Sequence, residues 1–100
     1  GKGEQLILTE DIVSAIKVSK CGVMAMPLFG SFVGRQRFKR LYSLYHHSIW
    51  VRVWLDPDKA SEATCEAKLG RLCGLHSSVL LSSADPKEHS YSEIKTILTT

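Results

Sequence analysis

Four carboxylates stand at or just beyond the ends of apolar runs: Glu10 after QLILT, Asp56 and Asp58 after IWVRVWL, and Asp85 after SSVLLSS. An oxygen-only donor set of this kind suits Mg²⁺ or Mn²⁺. Mg²⁺ typically takes one or two carboxylates and fills its other positions with water and phosphate oxygens. Glu10 with Asp56 and Asp58 can form such a site, in which the cation orients a phosphate and stabilises its developing charge while a spare carboxylate moves a proton. Two acids one residue apart also repel each other unless something positive lies between them. The segment VRVWLDPDKA (51–60) therefore poses a question about where that charge comes from.

The same acids have a plainer reading. Asp56 is well placed to cap a helix whose first position is Pro57, with Asp58 favourable near the positive end of the dipole. Glu10 or Asp11 can likewise cap a first helix. What favours a site is the conjunction of acids after the first and third strands.

The elements that must position them are legible from periodicity. QLILT (5–9) reads as a strand, and DIVSAIKVSK (11–20) as a helix ending before Gly22. VMAMPL (23–28) is a second strand with Pro27 near its end, and Gly30 and Gly34 bracket a loop. Arg35 to Tyr45 repeats apolar residues at helical spacing, at Phe38, Leu41 and Tyr45. IWVRVWL (49–55) alternates, placing Ile49, Val51, Val53 and Leu55 on one face and Trp50, Arg52 and Trp54 on the other. Residues 58–73 read as a helix stopped by Gly74, SSVLLSS (77–83) as a fourth strand, ADPKEH (84–89) as a loop, and Ser90 with Glu93 as a capping box opening a last short helix.

The order β-α-β-α-β-α-β-α predicts an α/β fold: a three-layer sandwich with a four-stranded, mainly parallel sheet flanked by helices. Ligands of such sheets gather at the carboxyl ends of the strands, where all four acids fall. One hundred residues make one domain, with 44% hydrophobic and 23% charged residues in the range of ordinary globular proteins. No apolar run reaches the length of a membrane span and no signal pattern opens the chain, so a cytoplasmic protein is expected. Cys21, Cys65 and Cys73 are odd in number and lack C-x-x-C spacing, which predicts buried reduced thiols rather than disulfides or a zinc site.

Net charge is +3, divided as +4 over residues 1–50 and −1 over residues 51–100. The basic segment RQRFKR offers Arg35, Arg37, Lys39 and Arg40 as phosphate contacts. A short charge cluster around an apolar stripe is equally what a solvated helix face shows, and that reading is slightly favoured. His46 and His47 fall where this helix ends and suit its dipole. Trp50, Arg52 and Trp54 can form a cation–π stack or a base-stacking platform, but burial under a crossover helix with Arg52 reaching to solvent is expected. There is no G-x-x-x-x-G-K-[ST] loop and hence no nucleotide-driven motor.

LILTE (6–10) before a helix, LDPDKAS (55–61) opening another, and ADPKEH (84–89) after the fourth strand together resemble the three acidic motifs of the Toprim domain, most like those of phage and bacterial DNA primases and primase-helicases. The resemblance spans nearly the whole chain. It implies Glu10 as general acid or base, Asp56 and Asp58 as the pair holding Mg²⁺ or Mn²⁺, and Asp85 as an additional metal-site acid. Gly30-Ser31 is similar to the Gly-Thr loop that often follows the second Toprim strand. Asp11 stands where that family usually has glycine, and Ser61 where it often does. The implied function is the catalytic module of a DNA primase, joining nucleotides on a DNA template with the remaining primase or helicase domains as partners. A Toprim nuclease or topoisomerase fragment, or a non-catalytic nucleic-acid-binding module, are the alternatives.

Overall fold

The computed structural model describes residues 4–100. Its elements are β1 (Glu4–Thr9), α1 (Ile12–Ser19), β2 (Met24–Pro27), α2 (Arg35–Tyr45), β3 (Ile49–Trp54), α3 (Ala60–Leu72), β4 (His76–Val79) and α4 (Tyr91–Leu98). Short 3-10 turns at Pro57–Lys59 and Pro86–Glu88 introduce α3 and α4. The four strands form one sheet in the order β2-β1-β3-β4, and every pairing is parallel. This is the α/β architecture that the alternation of elements predicts.

The sheet separates two apolar layers. On one face Leu6, Leu8, Val51 and Val53 pack with Phe38 of α2 and Ala63 and Ala67 of α3. On the other, Ile7 and Trp54 pack with Val18 of α1 and Ile94 and Leu98 of α4. β3 lies between two neighbours and is covered on both sides, which is why its sequence is apolar almost throughout. β2 lies at an edge, where Pro27 removes no needed ladder donor.

Local chemistry sets the element ends. Asp11 caps α1 by accepting from the Ser14 N–H at 2.8 Å. The Ser90–Glu93 capping box is present in both directions, at 2.8 and 3.1 Å. Gly74, after α3, has φ +95°, a conformation that costs other residues.

Three expectations are corrected. Arg52 does not reach solvent: it is 5% exposed, donates to Gln5 Oε1 at 3.0 Å and to the Leu98 carbonyl at 3.2 Å, and lies 4.2 Å from the Trp50 ring centroid. The end of α4, with its negative partial charge, stands in for a carboxylate there, while burial pulls the guanidinium below its ordinary pKa. The fourth strand ends at Val79 rather than residue 83. Leu80 N–H still donates to the Val53 carbonyl at 2.9 Å, but the chain then bends so that the Trp54 indole N–H meets the Ala84 carbonyl at 2.9 Å. The cysteines are free but not buried: Cys65 is exposed, and Cys21 and Cys73 are half-buried. No helix among the described residues is long and apolar enough to cross a membrane.

Candidate functional site

β1 is followed through α1 by its neighbour on one side, and the chain then crosses back so that β3 pairs on the other. The carboxyl ends of β1 and β3 therefore flank the point where strand order reverses, the position at which open α/β sheets leave a crevice. Thr9 pairs with Trp54 in register. Glu10 and Asp56 follow these two residues closely, so both leave the sheet at the same edge.

Glu10 lines a small cleft of ≈ 40 Å³ with Gly30, Ser31, Phe32, Lys59 and Glu66. Its Oε1 lies 3.7 Å from Lys59 Nζ, both side chains being partly exposed. Asp56 lines a second cleft of ≈ 100 Å³ with Pro57, Ala60, Leu81 and Ser82, and Leu55 walls both clefts. The Asp56 carboxylate makes no cap hydrogen bond, although Pro57 opens the turn as the capping reading expects. Asp58 sits exposed on that turn. Among the described residues neither Asp56 nor Asp58 has an ion-pair partner.

Asp85 is different. It is 2% exposed, and its Oδ2 accepts from Lys87 Nζ at 2.9 Å, while Oδ1 is buried without a partner. The same ammonium reaches Asp11 Oδ2 at 2.6 Å, and the Lys87 N–H donates to Ser14 Oγ at 3.2 Å. Burial alone would raise the Asp11 pKa, but the hydrogen bonds from Lys87 and Ser14 hold it below the usual carboxylate value. Hydrogen bonds to Asp11 and then Asp85 raise the Lys87 pKa above that of an ordinary lysine.

Arg35, Arg37, Lys39 and Arg40 are all exposed on α2. Phe38 alone among them is fully buried, so the apolar stripe anchors the helix and leaves the cations in solvent.

Sequence reasoning missed Glu66 and the two lysines. Glu66 is 2% exposed and its Oε1 accepts from the Val33 N–H at 3.2 Å. Burial raises its pKa, and the Val33 N–H only partly offsets this. The signal was a charged residue between Ala63 and Ala67 on the buried face of α3, where a carboxylate needs a donor. Lys59 and Lys87 stand in D-P-D-K and D-P-K, and supply positive charge respectively at Glu10, across the sheet edge, and at Asp85, two residues back in the chain.

Among the described residues no three Asp, Glu, His or Cys side chains gather into a ready-made metal cage. The donors do not fit a closed, all-protein site. Asp56 and Asp58 have no ion-pair partner among the described residues, and Glu10 leaves the sheet at the same edge as Asp56. Compared with protein-family models, curated proteins and solved structures, the chain matches none.

Proposed function

We propose that this chain is the Toprim-like module of a DNA primase, contributing the acidic part of a site for metal-dependent nucleotidyl transfer on a DNA template. The observation that carries the reading is the placement of Glu10 and Asp56 after adjacent parallel strands at the reversal of strand order. In this reading Asp56 and Asp58 hold Mg²⁺ or Mn²⁺ with phosphate oxygens completing its shell. The bound cation supplies charge neutralisation at the transferring phosphate. Glu10 accepts or returns a proton, and Lys59 holds its carboxylate in the cleft until substrate competes for it. Nucleotides, template and further primase or helicase domains are the partners, and the basic side chains of α2 provide sequence-independent phosphate contacts.

Thermal unfolding in millimolar Mn²⁺ tests the reading. A ligand that binds only the folded state raises the melting temperature, and the shift should be present in wild type and lost in Asp58→Asn and Asp56→Asn. An equal shift in all three proteins would return D-P-D to the role of a helix-opening turn.

A further inference from the structure

The loop Leu28–Gly34, between β2 and α2, divides its side chains in an unusual way. Leu28 and Val33 are buried at 5% and 4% exposure, whereas the two largest residues, Phe29 and Phe32, are 69% and 58% exposed. The loop is tied at both ends. Leu28 and Phe29 donate their N–H groups to the carbonyls of Thr9 and Glu10, each at 2.8 Å, and the Val33 N–H is held by buried Glu66. Ser31 closes the turn on the Leu28 carbonyl through both its N–H and its hydroxyl, at 2.9 and 2.6 Å. Phe29 has φ +54°, an outlier for a bulky residue, so the backbone directs its ring outward at a conformational cost. Neither ring packs on another aromatic ring among the described residues.

Two free aromatic faces are thus fixed beside the candidate site. Phe32 lines the cleft that holds Glu10 and Lys59. One residue after the loop the chain enters α2, with Arg35, Arg37, Lys39 and Arg40 exposed along it. Exposed aromatic faces in a loop that leads directly into a helix carrying four exposed cations match a strand that alternates flat bases with anionic phosphates, and every base offers a π-face. In a duplex those faces are already stacked.

We propose that Phe29 and Phe32 form a stacking platform for unpaired bases of a single-stranded DNA led to the Glu10 edge, with the arginines of α2 on its phosphates. This deepens the primase-module reading and rests on it. Polypeptide is the competing occupant, and the platform is distinguished from it by its need for π-faces on both sides.

The test is fluorescence anisotropy of the chain with a labelled oligothymidylate of about ten nucleotides, within the site sizes of stacking grooves, and with an abasic strand of equal length. Phe29→Ala and Phe32→Ala should each weaken oligothymidylate binding by about 5-fold or more. Phe29→Leu and Phe32→Leu, which keep apolar bulk, should weaken it as well, whereas Phe32→Trp should restore it. The abasic strand should bind wild type and the double alanine variant equally. Both rings are exposed, so unchanged thermal melting confirms that the variants are folded. Wild-type binding that depends on salt but is indifferent to the Phe substitutions overturns the platform and leaves the nucleic-acid reading standing. Wild type that binds neither strand overturns both. Leucine variants that bind like wild type assign the rings to plain apolar contact, and the platform falls.

Discussion

Lys87→Met isolates the one buried carboxylate whose counter-ion comes from its own loop. Lys87 Nζ lies 2.6 Å from Asp11 and 2.9 Å from Asp85, and the side chains are 37%, 32% and 2% exposed in that order. The Asp11 pair faces solvent and contributes at most about 1 kcal/mol. The Asp85 pair is different, because its removal strands a carboxylate whose Oδ1 already lacks a partner. Breaking a fully buried pair costs roughly 3–5 kcal/mol. The exposed lysine end is screened by water, so about 2–3 kcal/mol is the expected loss.

Urea unfolding of wild type, Lys87→Met, Asp85→Asn and the double variant gives the coupling directly. Lys87→Met should lower the midpoint, and Asp85→Asn in that background should recover most of the loss, since no charge is then left buried. Lys17→Met is the control: Lys17 Nζ meets the Lys87 carbonyl at an exposed 3.4 Å and should cost under about 0.5 kcal/mol. A Lys87→Met loss no larger than that of Lys17→Met, or two losses that simply add, would refute the argument that Lys87 serves as Asp85's counter-ion.

Other perturbations follow from single contacts. Gly70→Ala should destabilise by about 1–3 kcal/mol despite alanine's better helix propensity. The new Cβ would stand 2.7 Å from Ser77 Oγ and 3.0 Å from Ser77 Cβ, and chemical denaturation would measure the loss. Ser90→Ala should cost about 1 kcal/mol through the lost cap of α4, measured in the same way. Replacing Arg35, Arg37 and Arg40 by alanine should flatten the salt dependence of DNA binding, and an unchanged slope would assign them to a solvated face. Glu66 has a folded-state pKa raised by burial, so its contribution is fully present below the unfolded value and lost as pH rises through the folded one. Glu66→Gln keeps an acceptor for the Val33 N–H, so it should melt like wild type near about pH 4 and higher than wild type near about pH 7.5.

The fold was legible because apolar runs, helical spacing, the alternation of β3 and one capping box marked the elements in turn. The alternation in IWVRVWL assigned Val51 and Val53 to one layer and Trp54 to the other, as found. Arg52 was misjudged because periodicity gives the face but not the partner. Its partners, Gln5 and Leu98, lie 47 and 46 residues away, and only the folded sheet brings the end of α4 over β3. The fourth strand was read too long for a similar reason: VLLSS has strand composition, but β3 ends at Trp54 and residues beyond Leu80 have no neighbouring strand with which to pair. Glu66 escaped attention because a lone carboxylate in a helix reads as a solvated residue until the Val33 N–H is seen above it.

The counter-charges at the strand ends sort the acids into two kinds, and this bears on the chemistry of the edge. Glu10 and Asp85 each have a lysine partner, Lys59 from the turn after β3 and Lys87 from Asp85's own turn, whereas Asp56 and Asp58, flanking Pro57 on that first turn, have no ion-pair partner among the described residues. In the proposed reading they are the acids left open to a cation from solution. Lys59 belongs to the same turn but spends its charge on Glu10. Lys59→Met should therefore strengthen any Mn²⁺-induced rise in melting temperature, because removing a nearby positive charge leaves three carboxylates at one edge without compensation. The comparison is wild type against Lys59→Met, with and without Mn²⁺, and a smaller rise in the variant would mean that Lys59 assists the cation rather than competing with it.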